Sequence, residues 1–113
     1  MNTTELLHRV AEVVDHTQLE GVEAVIQYQL DTPVFHEFSG GAVKAVTGTH
    51  ESPDVTIIIS EDNIRRLLSG DLKIGKAVFT GRLKVRGDLL LAKKLLGLLD
   101  RSALDDVLGQ QAV

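Results

Sequence analysis

The hydrophobic period of this chain switches from helical to two and back again, which restricts it to one sheet with helices before and after it. Leu6, Leu7, Val10, Val13 and Val14 recur at helical spacing, and Thr3 or Thr4 stands where a cap would open a helix running to about Thr17. From Val22 to Leu30 the even positions Val22, Ala24, Ile26, Tyr28 and Leu30 are mostly apolar, while the odd ones include Glu23, Gln27 and Gln29. That alternation predicts a strand with one buried and one wetter face. Asp31-Thr32-Pro33 supplies turn chemistry before a second strand, Val34–Ser39, and Gly40-Gly41 makes a tight turn into a third, Ala42–Thr47. Links this short predict an antiparallel meander. A loop over Gly48–Pro53 then leads to Val55-Thr56-Ile57-Ile58-Ile59, β-branched throughout and the clearest strand in the chain.

The helical period returns after Ser60, which is placed to cap a helix from Glu61 to Ser69 with two acids in its first turn and an apolar stripe of Ile64, Leu67 and Leu68. Gly70 ends it, and Leu72–Phe79 reads as a further short helix or turn. The alternation in Gly81-Arg82-Leu83-Lys84-Val85-Arg86 predicts a fifth strand, broken by Gly87; Asp88 then caps a Leu-rich helix over Leu89–Leu99. In that helix Leu91, Leu95 and Leu98 form one stripe and Leu89, Ala92, Leu96 and Leu99 the stripe beside it. An apolar arc so wide needs cover on more than one side, from sheet, a neighbouring helix, a partner subunit or a bound apolar ligand. A last amphipathic segment with Leu104, Val107 and Leu108 follows Ser102.

With 113 residues there is room for one core, so residues 1–113 are expected to form a single α+β domain. Aromatics are only 4%, so any cavity wall must be aliphatic. The absence of Cys excludes disulfides, thiolate metal sites and a Cys nucleophile. No stretch is long and apolar enough for a membrane span, and the first residues lack the pattern of a signal peptide, so a cytoplasmic location is expected. Charge is uneven: residues 1–64 carry two basic and eleven acidic side chains, residues 65–113 ten basic and five acidic ones. The basic half suits an anionic membrane surface better than nucleic acid, and no nucleic-acid partner is expected.

Chemical motifs are sparse. Gly70-Asp71-Leu72-Lys73-Ile74-Gly75-Lys76-Ala77 nearly spells a phosphate-binding loop, but Ala77 stands where the hydroxyl that holds Mg²⁺ is needed, and the segment follows a predicted helix instead of a strand. His8, His16, His36 and His50 lack chelating spacing and read as surface or hydrogen-bonding side chains, so no metal site is expected. The serines lack a nucleophile-elbow context. With no acid–base or nucleophile constellation, the chain is expected to be neither an enzyme nor a cofactor protein.

Pro53-Asp54-Val55-Thr56-Ile57-Ile58-Ile59-Ser60-Glu61-Asp62-Asn63 resembles the strand-into-helix segment of the sterol carrier protein-2 family. The likeness continues through Leu67-Leu68-Ser69-Gly70 and is most specific over Ala77-Val78-Phe79-Thr80-Gly81-Arg82-Leu83-Lys84-Val85-Arg86-Gly87-Asp88, with Ala92, Lys94 and Leu95 matching its closing helix. The resemblance implies a five-stranded, mostly antiparallel mixed sheet with helices covering one face and an apolar tunnel between the layers. It also implies a ligand such as a fatty acid, fatty acyl derivative, sterol or isoprenoid. The final Gln111-Ala112-Val113 is not a peroxisomal tripeptide, so an animal-type organelle role is not expected. A single-domain, bacterial member is expected, and a bacterial origin would argue against sterol as the natural ligand.

The tunnel wall expected from the buried faces comprises Ile57 and Ile59; Ile64, Leu67 and Leu68; Ile74, Ala77 and Phe79; Leu83 and Val85; and Leu91, Leu95 and Leu98. Their role is desolvation of a carried lipid. The alternative is an interaction or dimerisation module that uses the same groove, accessory to a lipid or quinone biosynthetic enzyme, so that monomer and homodimer both stay open. Arg82, Lys84 and Arg86 on the last strand, with Lys93 and Lys94 beyond it, are expected to surround the mouth and to draw the protein transiently to an anionic membrane.

Overall fold

The computed structural model describes residues 2–12, 16–69 and 71–98. Helix α1 (Thr3–Glu12) opens the chain, and a single 3-10 turn at His16–Gln18 precedes the strands β1 (Ala24–Gln29), β2 (Val34–Ser39), β3 (Ala42–Thr47) and β4 (Val55–Ile59). Helices α2 (Glu61–Ser69) and α3 (Ile74–Phe79), strand β5 (Leu83–Gly87) and helix α4 (Leu89–Gly97) complete the described fold. The strands form one sheet in the order β3-β2-β1-β4-β5, in which β1 and β4 are parallel and every other neighbouring pair is antiparallel. The expected meander, the α+β class and the mixed five-stranded sheet are all present.

Local signals were largely obeyed. Gly40 and Gly41 both have positive φ, as a two-residue hairpin turn requires. Ser60 Oγ accepts from Asn63 N–H at 3.2 Å, and Asp88 accepts from the N–H groups of Leu90 and Leu91 at 2.9 and 3.3 Å. The cap of α1 differs: Asn2 Oδ1, not a threonine, accepts from Glu5 N–H at 2.8 Å, and Thr3 is buried. Asn is as good a cap as Ser or Thr, and moving the cap to Asn2 puts Thr3 inside the helix. The expected positions Val13, Val14, Gly70, Leu99 and the segment after Ser102 lie outside the described residues.

Alternation along the strands assigns the two faces of the sheet. Ala24, Ile26 and Tyr28 of β1, Val34, His36 and Phe38 of β2, and Val55, Ile57 and Ile59 of β4 share one face and are buried. They join Leu6, Leu7 and Val10 of α1, Ile64 and Leu68 of α2, Ile74 and Ala77 of α3, and Ala92 and Leu95 of α4 in one core. The second face of β1 is not the wetter one expected, because Gln27 is buried as deeply as the core. The cause is the link from β3 to β4, which must pass β2 and β1 to reach its place. Gln27 Nε2 donates to the carbonyls of Val34 and Gly48, and Gln27 Oε1 accepts from His50 N–H at 2.7 Å, so this one amide holds the crossing link against the sheet.

Two further contacts secure this arrangement. Asp54 receives Val25 N–H on its carboxylate at 2.7 Å and donates its own N–H to the Val25 carbonyl at 3.0 Å, seating β4 against β1. On the other side of β4, a Cβ at Gly87 would lie 2.7 Å from the Asp54 carbonyl oxygen, and Gly87 has φ +101°. Only glycine meets both conditions without strain. Replacing Gly87→Ala should therefore cost at least about 2 kcal/mol, seen as a lower urea midpoint with an unchanged slope.

His36 is the one buried histidine among the described residues. Its Nε2 lies 2.8 Å from the Leu7 carbonyl, which can only accept, so Nε2 carries the proton and Nδ1 accepts from the Tyr28 hydroxyl at 3.0 Å. This pairing ties α1 to the centre of the sheet. Burial pushes the His36 pKa down to about 4, with neighbouring His8 adding to the shift and the Leu7 hydrogen bond opposing it. The unfolded chain thus binds this proton more readily, and the stability His36 contributes is complete above about pH 6.5 and lost as pH falls toward 4. Urea unfolding between pH 7 and pH 4 should show a loss of about 3 kcal/mol from this group, and the slope over that window should be shallower in His36→Leu.

Candidate ligand pocket

The helices on the covered face do not close completely. After α2, Leu72 N–H donates to the Arg66 carbonyl at 3.0 Å, which turns the chain back and places buried Leu72 near the end of α2. Helix α3 then starts at once, and α4 ends against the same region. Between them lies a cavity of about 440 Å³. Its wall takes Leu67 and Leu68 from α2, Leu72 and Lys73 from the link, Ile74, Gly75 and Lys76 from the first turn of α3, and Lys93, Leu96 and Gly97 from α4. The volume falls in the lower half of the ~300–1,000 Å³ range of small-molecule sites. Leucine and isoleucine make the interior apolar, and the charged groups are three lysines.

Two of the wall residues, Gly75 and Gly97, are exposed glycines. A Cβ at Gly75 or Gly97 would meet nothing within 4 Å, so the space beside both is unfilled. On the opposite side of α4, Ala92 and Leu95 are sealed in the core.

The expected tunnel residues divide accordingly. Leu67, Leu68 and Ile74 line the cavity. Ile57, Ile59, Ile64, Ala77, Leu83 and Leu95 are buried in the core without lining it, and Val85, Leu91 and Leu98 are half-buried against that core. The wall therefore comes from the helices and the link between α2 and α3, and the sheet contributes no lining residue to this cavity. Phe79 is a correction: it is 91% exposed instead of lying on a buried face. At 100° per residue, a six-residue helix that buries Ile74 and Ala77 must turn Phe79 away. Leu90, 75% exposed, lies off the buried side of α4 for the same reason.

The basic residues also separate. Cross-strand pairing puts Lys84 opposite Ile58 and Arg86 opposite Thr56, on the sheet face away from the helices. They do not surround the mouth with Lys93. Lys73 and Lys76, which sequence spacing did not single out for binding, do line the pocket with Lys93. The available signal was the near-match to a phosphate-binding loop, whose lysines are Lys73 and Lys76. Among the described residues no cluster of His, Cys, Asp or Glu could hold a metal ion, and no helix is long and apolar enough to cross a membrane.

Residues 4–100 match the model of the SCP-2 sterol transfer family, and the chain belongs to that family. Membership implies lipid binding or transfer as the general activity. The sterol carrier protein domain 2 of Helicoverpa armigera is 28% identical, with a TM-score of 0.68 over 89% of this chain and 84% of that one. A stereoselective inverting sec-alkylsulfatase, Pisa1 from Pseudomonas sp., superposes with a TM-score of 0.75 at 19% identity, over 80% of this chain but only 15% of the sulfatase. The peroxisomal multifunctional enzyme type 2 of Mus musculus is 50% identical over 44 residues, which are 39% of this chain and 6% of the enzyme. The chain thus spans a small fraction of those two larger proteins.

The two sides of α4 can be told apart by overpacking. Ala92→Leu should cost about 1–3 kcal/mol because its site is full. Gly97→Leu should leave stability unchanged or raise it by up to about 1 kcal/mol, since the side chain enters open space and glycine is a poor helix former. Thermal unfolding of the two variants reads the difference.

Proposed function

We propose that the protein binds one lipid-like chain in the cavity between α2, α3 and α4, and carries it rather than transforming it. The observation that supports this most directly is the 440 Å³ cavity with leucine and isoleucine in its wall, in a chain this small. Each methylene moved from water into such a wall contributes roughly 0.8 kcal/mol, offset in part by immobilisation of chain and ligand. Micromolar affinity with loose selectivity for the tail is the expected result. The wall holds no Ser, Thr, Cys, His, Asp or Glu, and its only titratable groups are exposed lysines, which supports a carrier over a catalyst.

A second reading has its own support. Phe79 and Leu90 are exposed, and each lies one helical turn from lining residues, Phe79 from Gly75 and Lys76 and Leu90 from Lys93. Such a rim suits a second copy or a partner protein, as in an accessory module.

Native mass spectrometry of the purified protein and titration with a fluorescent fatty acid should show one saturable, displaceable equivalent. Gly75→Leu combined with Gly97→Leu should weaken it about tenfold or more without lowering the melting temperature, a loss of about 1.4 kcal/mol. No saturable signal would refute carriage. A stable lipid-free dimer that dissociates on Phe79→Glu with Leu90→Glu would favour the interaction module.

A further inference from the structure

Three lysines from two segments of backbone line one apolar cavity, and nothing in the core or the sheet accounts for them. Lys73 comes from the link before α3, Lys76 from the first turn of α3, and Lys93 from α4. All three are exposed, as long basic side chains over an apolar wall usually are. The wall contains no acidic residue, and no carboxylate of the described residues pairs with any of the three. Arg66 pairs with Asp62 on the surface of α2, away from these lysines in sequence. Asp71 is exposed two residues before Lys73 and is not part of the wall.

Three like charges around one cavity, with no carboxylate in its wall, favour an anion that carries more than one negative charge. Lysine is a point-charge ligand for phosphate, and the neighbouring apolar wall demands a hydrocarbon joined to that head. The cavity volume suits a single tail better than two. We propose that this pocket selects a single-chain amphiphile with a phosphate monoester or diphosphate head, bound by Lys73, Lys76 and Lys93, over the matching carboxylate and, most strongly, over the neutral alcohol. This inference rests on the cavity being the lipid site. It also gives the Lys73–Lys76 segment a use that needs no nucleotide or Mg²⁺.

The test compares decyl phosphate, decanoate, decanol and inorganic phosphate by calorimetry, each below its aggregation threshold. Decyl phosphate should bind about tenfold or more tightly than decanol, with decanoate between them. That margin should shrink in high salt. Lys73→Gln, Lys76→Gln and Lys93→Gln together should remove the margin and leave decanol binding within about twofold, which also reports an intact fold. Lys84→Gln with Arg86→Gln, on the far face of the sheet, should leave the margin in place.

Equal affinity for decyl phosphate and decanol would overturn the head selection while lipid carriage stands. Failure of all three amphiphiles would overturn both. Inorganic phosphate binding as tightly as decyl phosphate would show a free-anion site and overturn the amphiphile. Lysine-dependent binding to vesicles containing phosphatidylglycerol, with soluble decyl phosphate unaffected by the lysine changes, would assign these side chains to bilayer docking instead.

Discussion

The seat of β4 between β1 and β5 is the joint on which the two halves of the molecule depend. Every helix that walls the cavity follows β4 in the chain, whereas the meander and α1 precede it. The paired Asp54–Val25 contacts set the register of β4 on β1, and Gly87 lets β5 and the start of α4 come close to the Asp54 carbonyl. A one-residue slip there would turn Ile57 and Ile59 away from the core and carry α2 with them. The geometry of the cavity is thus set some distance from its wall, by backbone pairing that involves no cavity residue.

The same economy of polar contacts appears on both faces of the sheet. On the exposed side, one buried amide, Gln27, satisfies two carbonyls and one N–H of the surrounding chain. On the helical side, His36 bridges Tyr28 to the Leu7 carbonyl. Both residues sit on central strands where an apolar side chain would also fit the pattern of burial. Each is tolerated because its hydrogen-bonding capacity is met, and each fixes a segment that hydrophobic packing alone would leave free to slide. For His36 the cost is sensitivity to acid, since protonation would place a charge in that core.

The pocket follows from incomplete packing. A six-residue α3 and a short link cannot fill the space between the ends of α2 and α4, and the glycines at 75 and 97 add nothing to it. The family relationship and the cavity point the same way, toward an apolar guest, while the lysines at its edge distinguish this chain's version of the site from a plain hydrocarbon slot.

Periodicity and capping chemistry determined the elements, because both act within a few residues: the strands at Val34–Ser39 and Val55–Ile59, the hairpin at Gly40-Gly41, and the caps at Ser60 and Asp88 were all legible in the amino-acid order. The motif over residues 77–88 likewise identified the family. Tertiary structure alone decided which apolar residues line space and which fill it. Ile57, Leu83 and Leu95 are indistinguishable in pattern from Leu67, Leu68 and Ile74, yet only the last three also line the cavity, Leu68 and Ile74 while packed in the core. A hydrophobic stripe shows that a side chain leaves water, but not whether protein or a guest covers it. Phe79 shows the same limit from the other side, since a helix too short for a clear moment leaves its exposed face unmarked. Charge is governed by the same distinction. Lys84 and Arg86 are close to Lys93 in the chain but lie on the sheet face away from the helices, and Lys73 and Lys76 are distant in the chain but line the same cavity as Lys93, because only folding brings separate segments to one place.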